Sequence, residues 1–256
     1  MRMRIGLTSM AAVLALTAAS HATLLTDVTF TGNTPDQTPP VAGAVAGGVT
    51  TTVQYANPST GDADLHAWVR NSGYPTVGDG TVLQLYDNVI TAGANQAQTR
   101  FYLNAADVVS NVSAEPVVTI SWDMLRDNSL GAAPLFLNLR TLAGVNMTPQ
   151  IAWSSGGNYV TSDGIQYASE FNQAYSYAIQ LDYANDTVSL FIDDNLQNTI
   201  AFDSNISFGR VEFSTSTSGR SIIVIDNFQI ETSIPEPGSI ALMGLGGLAI
   251  LFRRKR

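Results

Sequence analysis

Val117-Val118-Thr119-Ile120-Ser121-Trp122-Asp123-Met124 is the stretch that decides the fold class. In an extended chain Val118, Ile120, Trp122 and Met124 fall on one side and Thr119, Ser121 and Asp123 on the other, because successive side chains of a strand point to opposite faces. A strand with one apolar and one wet side belongs in an antiparallel sheet packed on a single core. Tyr177, Ile179, Leu181 and Tyr183 repeat the pattern further along. Between Ser176–Tyr183 and Thr187–Ile192 stands Ala184-Asn185-Asp186, whose Asn and Asp tolerate positive φ, so the two runs predict a hairpin. Asp193-Asp194-Asn195 predicts a second turn of the same kind.

Working outward, period-2 runs recur at Leu25–Thr31, Gly80–Tyr86, Thr99–Leu103, Leu135–Arg140, Gln150–Trp153, Thr199–Phe202, Arg210–Phe213 and Ser221–Ile230, with Gly, Asn, Asp and Pro between them. No stretch of this body reads as a helix. Ser221–Ile230 begins apolar on both faces, which places it centrally in a sheet. Residues 39–52 are uncharged and poor in bulky side chains, so they read as a long loop or a weak edge strand. No internal repeat is visible, which argues against a propeller or solenoid. The chain has no cysteine, so an exported body must be held by its core and not by disulfides. At about 210 residues it can form one large β domain.

Both ends carry targeting chemistry. Arg2 and Arg4 precede an apolar stretch, Ile5 to Leu16, and Ser20-His21-Ala22 supplies small residues at the −3 and −1 positions. Residues 1–22 therefore read as a signal peptide cut after Ala22. At the other end Pro235-Glu236-Pro237 is followed by the apolar segment 239–252 and by Arg253, Arg254, Lys255 and Arg256. The prolines hold the backbone extended around Glu236 and leave its carboxylate exposed, as a protease recognition site requires. A helix over 239–252 reaches only ~21 Å at roughly 1.5 Å per residue, against a hydrocarbon core of ~30 Å, which suits a transient anchor. The basic tail fixes its orientation, leaving the domain at 23–232 on the far side of the membrane. Residues 233–256 form the sorting segment.

Without its two ends the body has six arginines, no lysine and twenty acidic residues, a net charge of −14. Such a surface repels phosphate backbones, so no nucleic-acid partner is expected. His66 is the one histidine of the body, which rules out a histidine metal cluster and leaves any serine triad dependent on that residue. Glu115, Glu170, Glu212 and Glu231 are scattered singly. No catalytic and no cofactor-binding residue is assigned. Asp62, Asp64, Asp79, Asp193 and Asp194 lack the ordered spacing of an EF-hand loop and read as solvated turn carboxylates. Asp226 is the lone metal-ligand candidate, because an acid inside an apolar strand must be paired or ligating. Trp68, Trp153 and Tyr159 lie in or beside expected loops, where they either stack on sugars or simply pack; Trp122 reads as core.

The arrangement of Pro235-Glu236-Pro237, apolar segment and basic tail resembles the PEP-CTERM sorting signal of Gram-negative bacteria. That resemblance implies export, processing by an exosortase-type membrane protease, and delivery to the cell surface or extracellular matrix, with signal peptidase as a second partner and the C-terminal helix as a transient inner-membrane anchor. The strand closing on Ile225-Asp226-Asn227-Phe228 is similar to that of many proteins with this signal. Tyr177 to Phe202, a strand opened by tyrosine, a turn and a Leu-Phe-Ile-Asp strand, resembles the back sheet of concanavalin A-like and laminin G-like jelly rolls. The expected fold is accordingly an all-β jelly-roll β-sandwich flanked by a signal peptide and a single transmembrane helix. In glycoside hydrolases of that fold a strand carries Glu-x-Asp-x-x-Glu, which this chain lacks, and lyases of the fold use basic, Tyr and His groups. A structural calcium ion is the one cofactor the resemblance suggests. The expectation is a non-enzymatic surface or matrix protein, with extracellular polysaccharide as a candidate ligand; a polysaccharide hydrolase or lyase is the alternative, and a purely structural biofilm component the third reading.

Overall fold

The computed structural model describes residues 22–28, 49–55, 65–71, 81–87, 97–103, 117–131, 133–148, 150–154, 159–216 and 219–233. Residues 1–21 of the expected signal peptide, residues 235–256 and the expected helix at 239–252 lie outside these. Among the described residues no helix is long and apolar enough to cross a membrane. Ala22–Ile234 form one compact unit.

The strands are β1 (Ala22–Val28), β2 (Val49–Tyr55), β3 (Leu65–Asn71), β4 (Thr81–Asp87), β5 (Ala97–Leu103), β6 (Val117–Asp127), β7 (Leu135–Arg140) and β8 (Ile151–Trp153), followed by β9 (Tyr159–Ser162), β10 (Ile165–Ala168), β11 (Ala174–Asp182), β12 (Thr187–Ile192), β13 (Asn195–Ala201), β14 (Arg210–Thr215) and β15 (Ser221–Ser233). The described residues are all-β and contain no helix. Two antiparallel sheets make the sandwich: an eight-stranded sheet ordered β13-β12-β11-β6-β15-β4-β3 with β1 also on β15, and a seven-stranded sheet ordered β10-β9-β8-β7-β14-β5-β2. The predicted hairpin is β11–β12, in register from Tyr177↔Ile192 to Asp182↔Thr187, with Asp186 at φ 54°. Asp193 and Asp194, at φ 49° and 62°, make the two-residue turn into β13, the geometry that matches the twist of the flanking strands.

Several strands go beyond the sequence reading. Residues 49–55 are a full strand, β2, at the edge of the seven-stranded sheet, so the edge-strand alternative for residues 39–52 holds over its last part. His66 and Trp68 lie within β3, a strand outside the predicted period-2 runs, with Trp68 expected in or beside a loop. The hairpin β9–β10 was also missed; its residues pair from Tyr159↔Ala168 to Ser162↔Ile165. Trp153, expected in or beside a loop, is fully buried on β8. Its ring packs because Leu135↔Trp153 aligns it with the core face of β7.

The core lies between the sheets. Trp122 and Tyr177, cross-strand neighbours on β6 and β11, stack with ring centroids 5.5 Å apart. From the opposite sheet Phe213 and Trp153 meet Trp122 edge-on at 5.4 and 6.5 Å, the arrangement that aromatic quadrupoles favour. The Tyr177 hydroxyl accepts from Trp153 Nε1 at 3.2 Å and lies 2.7 Å from Ser169 Oγ. Tyr183 ties the next turn in place: its hydroxyl accepts from Phe208 N at 3.0 Å and donates to Ile206 O at 3.3 Å. One end of the core is plugged by Arg126, whose Nη1 and Nη2 donate to Ser154 O and Ser169 O while its guanidinium sits 4.2 Å from the Phe171 ring.

These polar plugs make stability fall in alkali. Burial pushes the phenols of Tyr177 and Tyr183 up to about 12, and burial lowers Arg126 to about 10. Between pH 10 and 12 the unfolded chain has lost two phenolic protons that the fold retains, and keeps one arginine proton that the fold has lost. Stability supplied by the two phenols is complete below pH 10 and is lost as pH rises through 12; the arginine opposes one of them. The net loss is about one proton, or about 1.4 kcal/mol per pH unit. Denaturant midpoints measured from pH 9 to 12 should decline accordingly, and Tyr177→Phe should flatten the decline.

Candidate functional site: an arginine face on the seven-stranded sheet

Residues on β14 alternate between two jobs. Val211 and Phe213 point into the sandwich core. Arg210, Glu212 and Ser214 therefore point to the outer side of the sheet. Cross-strand register brings their neighbours together: Glu212 stands opposite Arg100 on β5 and Asn138 on β7, and Arg210 stands opposite Tyr102 and Arg140. Half of the six arginines of the body thus meet around one glutamate.

The geometry is that of a shared carboxylate. Glu212 Oε2 accepts from Arg100 Nε at 2.6 Å and lies 3.4 Å from Arg210 Nη2, while Oε1 lies 3.0 Å from Arg140 Nη2. The Glu212 side chain is 2% exposed, whereas those of Arg100 and Arg140 are 18% and 24% exposed. The carboxylate is therefore the floor and the guanidiniums are the rim. Arg210 Nη1 donates to the Tyr102 hydroxyl at 3.1 Å, and Gln150 Nε2 donates to Asn138 Oδ1 at 3.1 Å. The buried Nε atoms of Arg140 and Arg210 have no hydrogen-bond partner among the described residues.

The loop after β7 closes one side of the face. Thr141 N donates to Val145 O, and Gly144 N to Thr141 O. Gly144, at φ 95°, takes a conformation that L side chains rarely adopt, and a Cβ there would lie 2.9 Å from Arg210 Nη2. Glycine is thus required by the turn, and a side chain there would also displace the Arg210 guanidinium.

Three positive charges against one negative leave this face net positive on a body that is net −14. Guanidinium forks suit carboxylates, sulfates and phosphates, which they bind bidentately. General acid-base work by Glu212 is disfavoured, because both of its oxygens are engaged by arginine. No second carboxylate faces it across a groove among the residues just described, so the paired acids that glycoside hydrolysis needs are not assembled here. Sequence reasoning missed this site, since each of the four residues stands alone in the chain. The readable signal was Arg210-x-Glu212 alternating with Val211 and Phe213 on one predicted strand.

Asp226 has a different place. It lies on the outer face of the eight-stranded sheet, 0% exposed and opposite Asp123 in register. Among the described residues no group of three or more His, Cys, Asp or Glu converges as a metal site. Trp122 is core, as expected, and so is Trp153; of the remaining aromatic candidates, the Trp68 and Tyr159 side chains lie outside the described set.

The fold and this face define a β-sandwich of jelly-roll type with a cation-rich outer sheet. Residues 233–256 match the family described as the PEP-CTERM protein-sorting motif. The chain thus carries an exosortase sorting signal, which implies an exported protein of the cell surface and a C-terminal transmembrane region. No curated protein matches the sequence. Among solved structures it is similar to a sialidase, at 12% identity and TM-score 0.46, covering 63% of this chain and 16% of that one. It is similar also to alginate lyase AlgAT5 from polysaccharide lyase family 7, at 12% identity and TM-score 0.45, covering 65% and 82%. A botulinum neurotoxin type C structure aligns at 14% identity and TM-score 0.50 over 81% of this chain and 47% of that one. The last of these likenesses is one of fold alone.

Proposed function

We propose that the body, freed of its signal peptide after Ala22, is a non-enzymatic surface or matrix protein that binds acid-bearing glycans on the arginine face. One observation carries the reading: three guanidiniums surround a single buried carboxylate, with two buried Nε donors still unpartnered. A sugar carboxylate arriving at the rim would meet the part-exposed guanidiniums of Arg100 and Arg140, and no metal ion is needed to hold it. The test is a glycan array probed with the full chain, with and without calcium. Binding of acid-bearing oligosaccharides in both conditions, weakening with salt, is expected. Arg140→Ala should lower affinity about tenfold, the worth of one charge-assisted hydrogen bond. A flat array in both conditions would remove the reading.

The polysaccharide-lyase alternative is favoured by one contact, Tyr102 against Arg210, which puts a phenol on the same face as the arginines that would hold an acid sugar. Appearance of unsaturated products from acidic oligosaccharides would replace the binding reading with that one.

Delivery is tested separately. Glu236→Ala should leave the protein held at the inner membrane with its tail intact, read by fractionation and by the mass of the C-terminal peptide. Normal processing of this variant would refute the role given to Pro235-Glu236-Pro237.

A further inference from the structure

The opposite sheet has a polar pocket unlike the arginine face. β15 changes partners halfway: Ile225↔Leu83 is its last pair with β4, and Phe228↔Val28 its first with β1. Between them the strand bulges, from Asp226 to Gln229, with Asn227 at φ 50°. A bulge re-aims a side chain, and here it sends the Asn227 amide across the sheet. Nδ2 donates to Asp123 Oδ2 at 2.7 Å, while Ser176 Oγ donates to Asp123 Oδ1 at 2.5 Å. Asp123 is thereby fixed from both sides as an acceptor with lone pairs to spare.

A cavity of about 230 Å³ opens here, floored by Ser121, Ser176 and Ala178 and rimmed by Asp123, Asn227 and Asp194. The β12–β13 turn is pinned against it, since Ser176 N donates to Asp193 Oδ1 at 2.9 Å and Asp193 N donates to Ser176 O at 2.8 Å. The volume is below the ~300 Å³ at which pockets for drug-sized ligands begin, so it has room for about one sugar ring. Its lining alternates carboxylate, amide and hydroxyl, which is what the donor-acceptor hydroxyls of a sugar require. Among the described residues no three metal-ligating acids or histidines converge here, and two carboxylates with no cation in the lining repel acid sugars.

We propose that this pocket is a second glycan site, specific for a pyranose that bears no acid group. It is separate from the arginine face by position and by charge. With both faces occupied, the sandwich would join an acidic chain on one sheet to a non-acidic residue on the other, and so cross-link polymers.

The test uses the full chain in an amine-oxide detergent, which carries no sugar headgroup, and saturation-transfer NMR with methyl glycosides of glucose, galactose, mannose and glucosamine, with methyl glucuronide for contrast. Transfer to at least one of the four non-acid glycosides is expected. Asn227→Gly removes the amide yet suits the positive φ, and Ala178→Tyr fills the floor from a strand position that favours tyrosine. Each should weaken that binding at least about tenfold, while Arg140→Ala leaves it unchanged. Absence of transfer from all four glycosides to folded protein, or retention of wild-type binding in either pocket variant, would overturn the proposal. Loss of methyl glucuronide binding in Arg140→Ala alone bears on the other face and leaves this one standing.

Discussion

Glu212→Ala is expected to destabilise the fold by about 3–5 kcal/mol, the cost of removing one partner of a buried ionic cluster. The reason is the asymmetry of the site. Glu212 is shielded from water, and Arg100, Arg140 and Arg210 all pair with it. Alanine removes the carboxylate that the three cations share. The reverse change is milder: Arg140, on the wetter rim, should cost about 0–1 kcal/mol when truncated. Urea midpoints of the two variants, at unchanged m-value, measure the difference. Glu212→Ala unfolding at the wild-type midpoint would mean that water already reaches the guanidiniums, and the floor-and-rim description of the face would fall.

Trp122→Ala should be of similar size, about 3–5 kcal/mol, for a different reason. The indole is the one ring that touches Tyr177 on its own sheet and both Trp153 and Phe213 on the other. Its loss opens a cavity where the two sheets meet and removes three ring contacts. Its Nε1 is buried with no hydrogen-bond partner among the described residues, so Trp122→Phe deletes a group left unsatisfied there and should cost clearly less than alanine. Tyr177→Phe makes the contrast: the ring stays, but Trp153 Nε1 loses its acceptor, a cost of about 1–3 kcal/mol. Thermal or denaturant unfolding of the three variants should rank Trp122→Ala as the most damaging. If Trp122→Phe proves as damaging as Trp122→Ala, contacts of the indole's second ring, and not the sheet-bridging stack, hold the core.

Much of the sandwich could be read before its structure. The alternation in Val117–Met124 and Ser176–Tyr183 became the adjacent strands β6 and β11, paired Trp122↔Tyr177. Asp186, Asp193 and Asp194 do take positive φ. Ser221–Ile230, read as central, is flanked by β6 on one side and by β4 and β1 on the other. The strands that were missed have weaker local signals. β3 carries Leu65-His66-Ala67-Trp68, whose pattern is blurred by a histidine and an alanine, and β2 is an edge strand of mostly threonine and valine. Gln150–Trp153 was read as a strand and became β8, Ile151–Trp153, whose last residue, Trp153, stands at the strand's end yet packs into the core.

Period and turn chemistry are local properties, and from them the sequence determined an all-strand body, while the Pro-Glu-Pro tail marked the sorting signal. Neighbourhood across a sheet is not local. Arg100 meets Glu212 from 112 positions away, and Asn227 reaches Asp123 from 104, each through a register set by the packing of whole strands on a common core. Both candidate sites were therefore decided by the tertiary structure alone, because side chains that stand singly in the chain acquire a shared chemistry only when the sheets bring them onto one face.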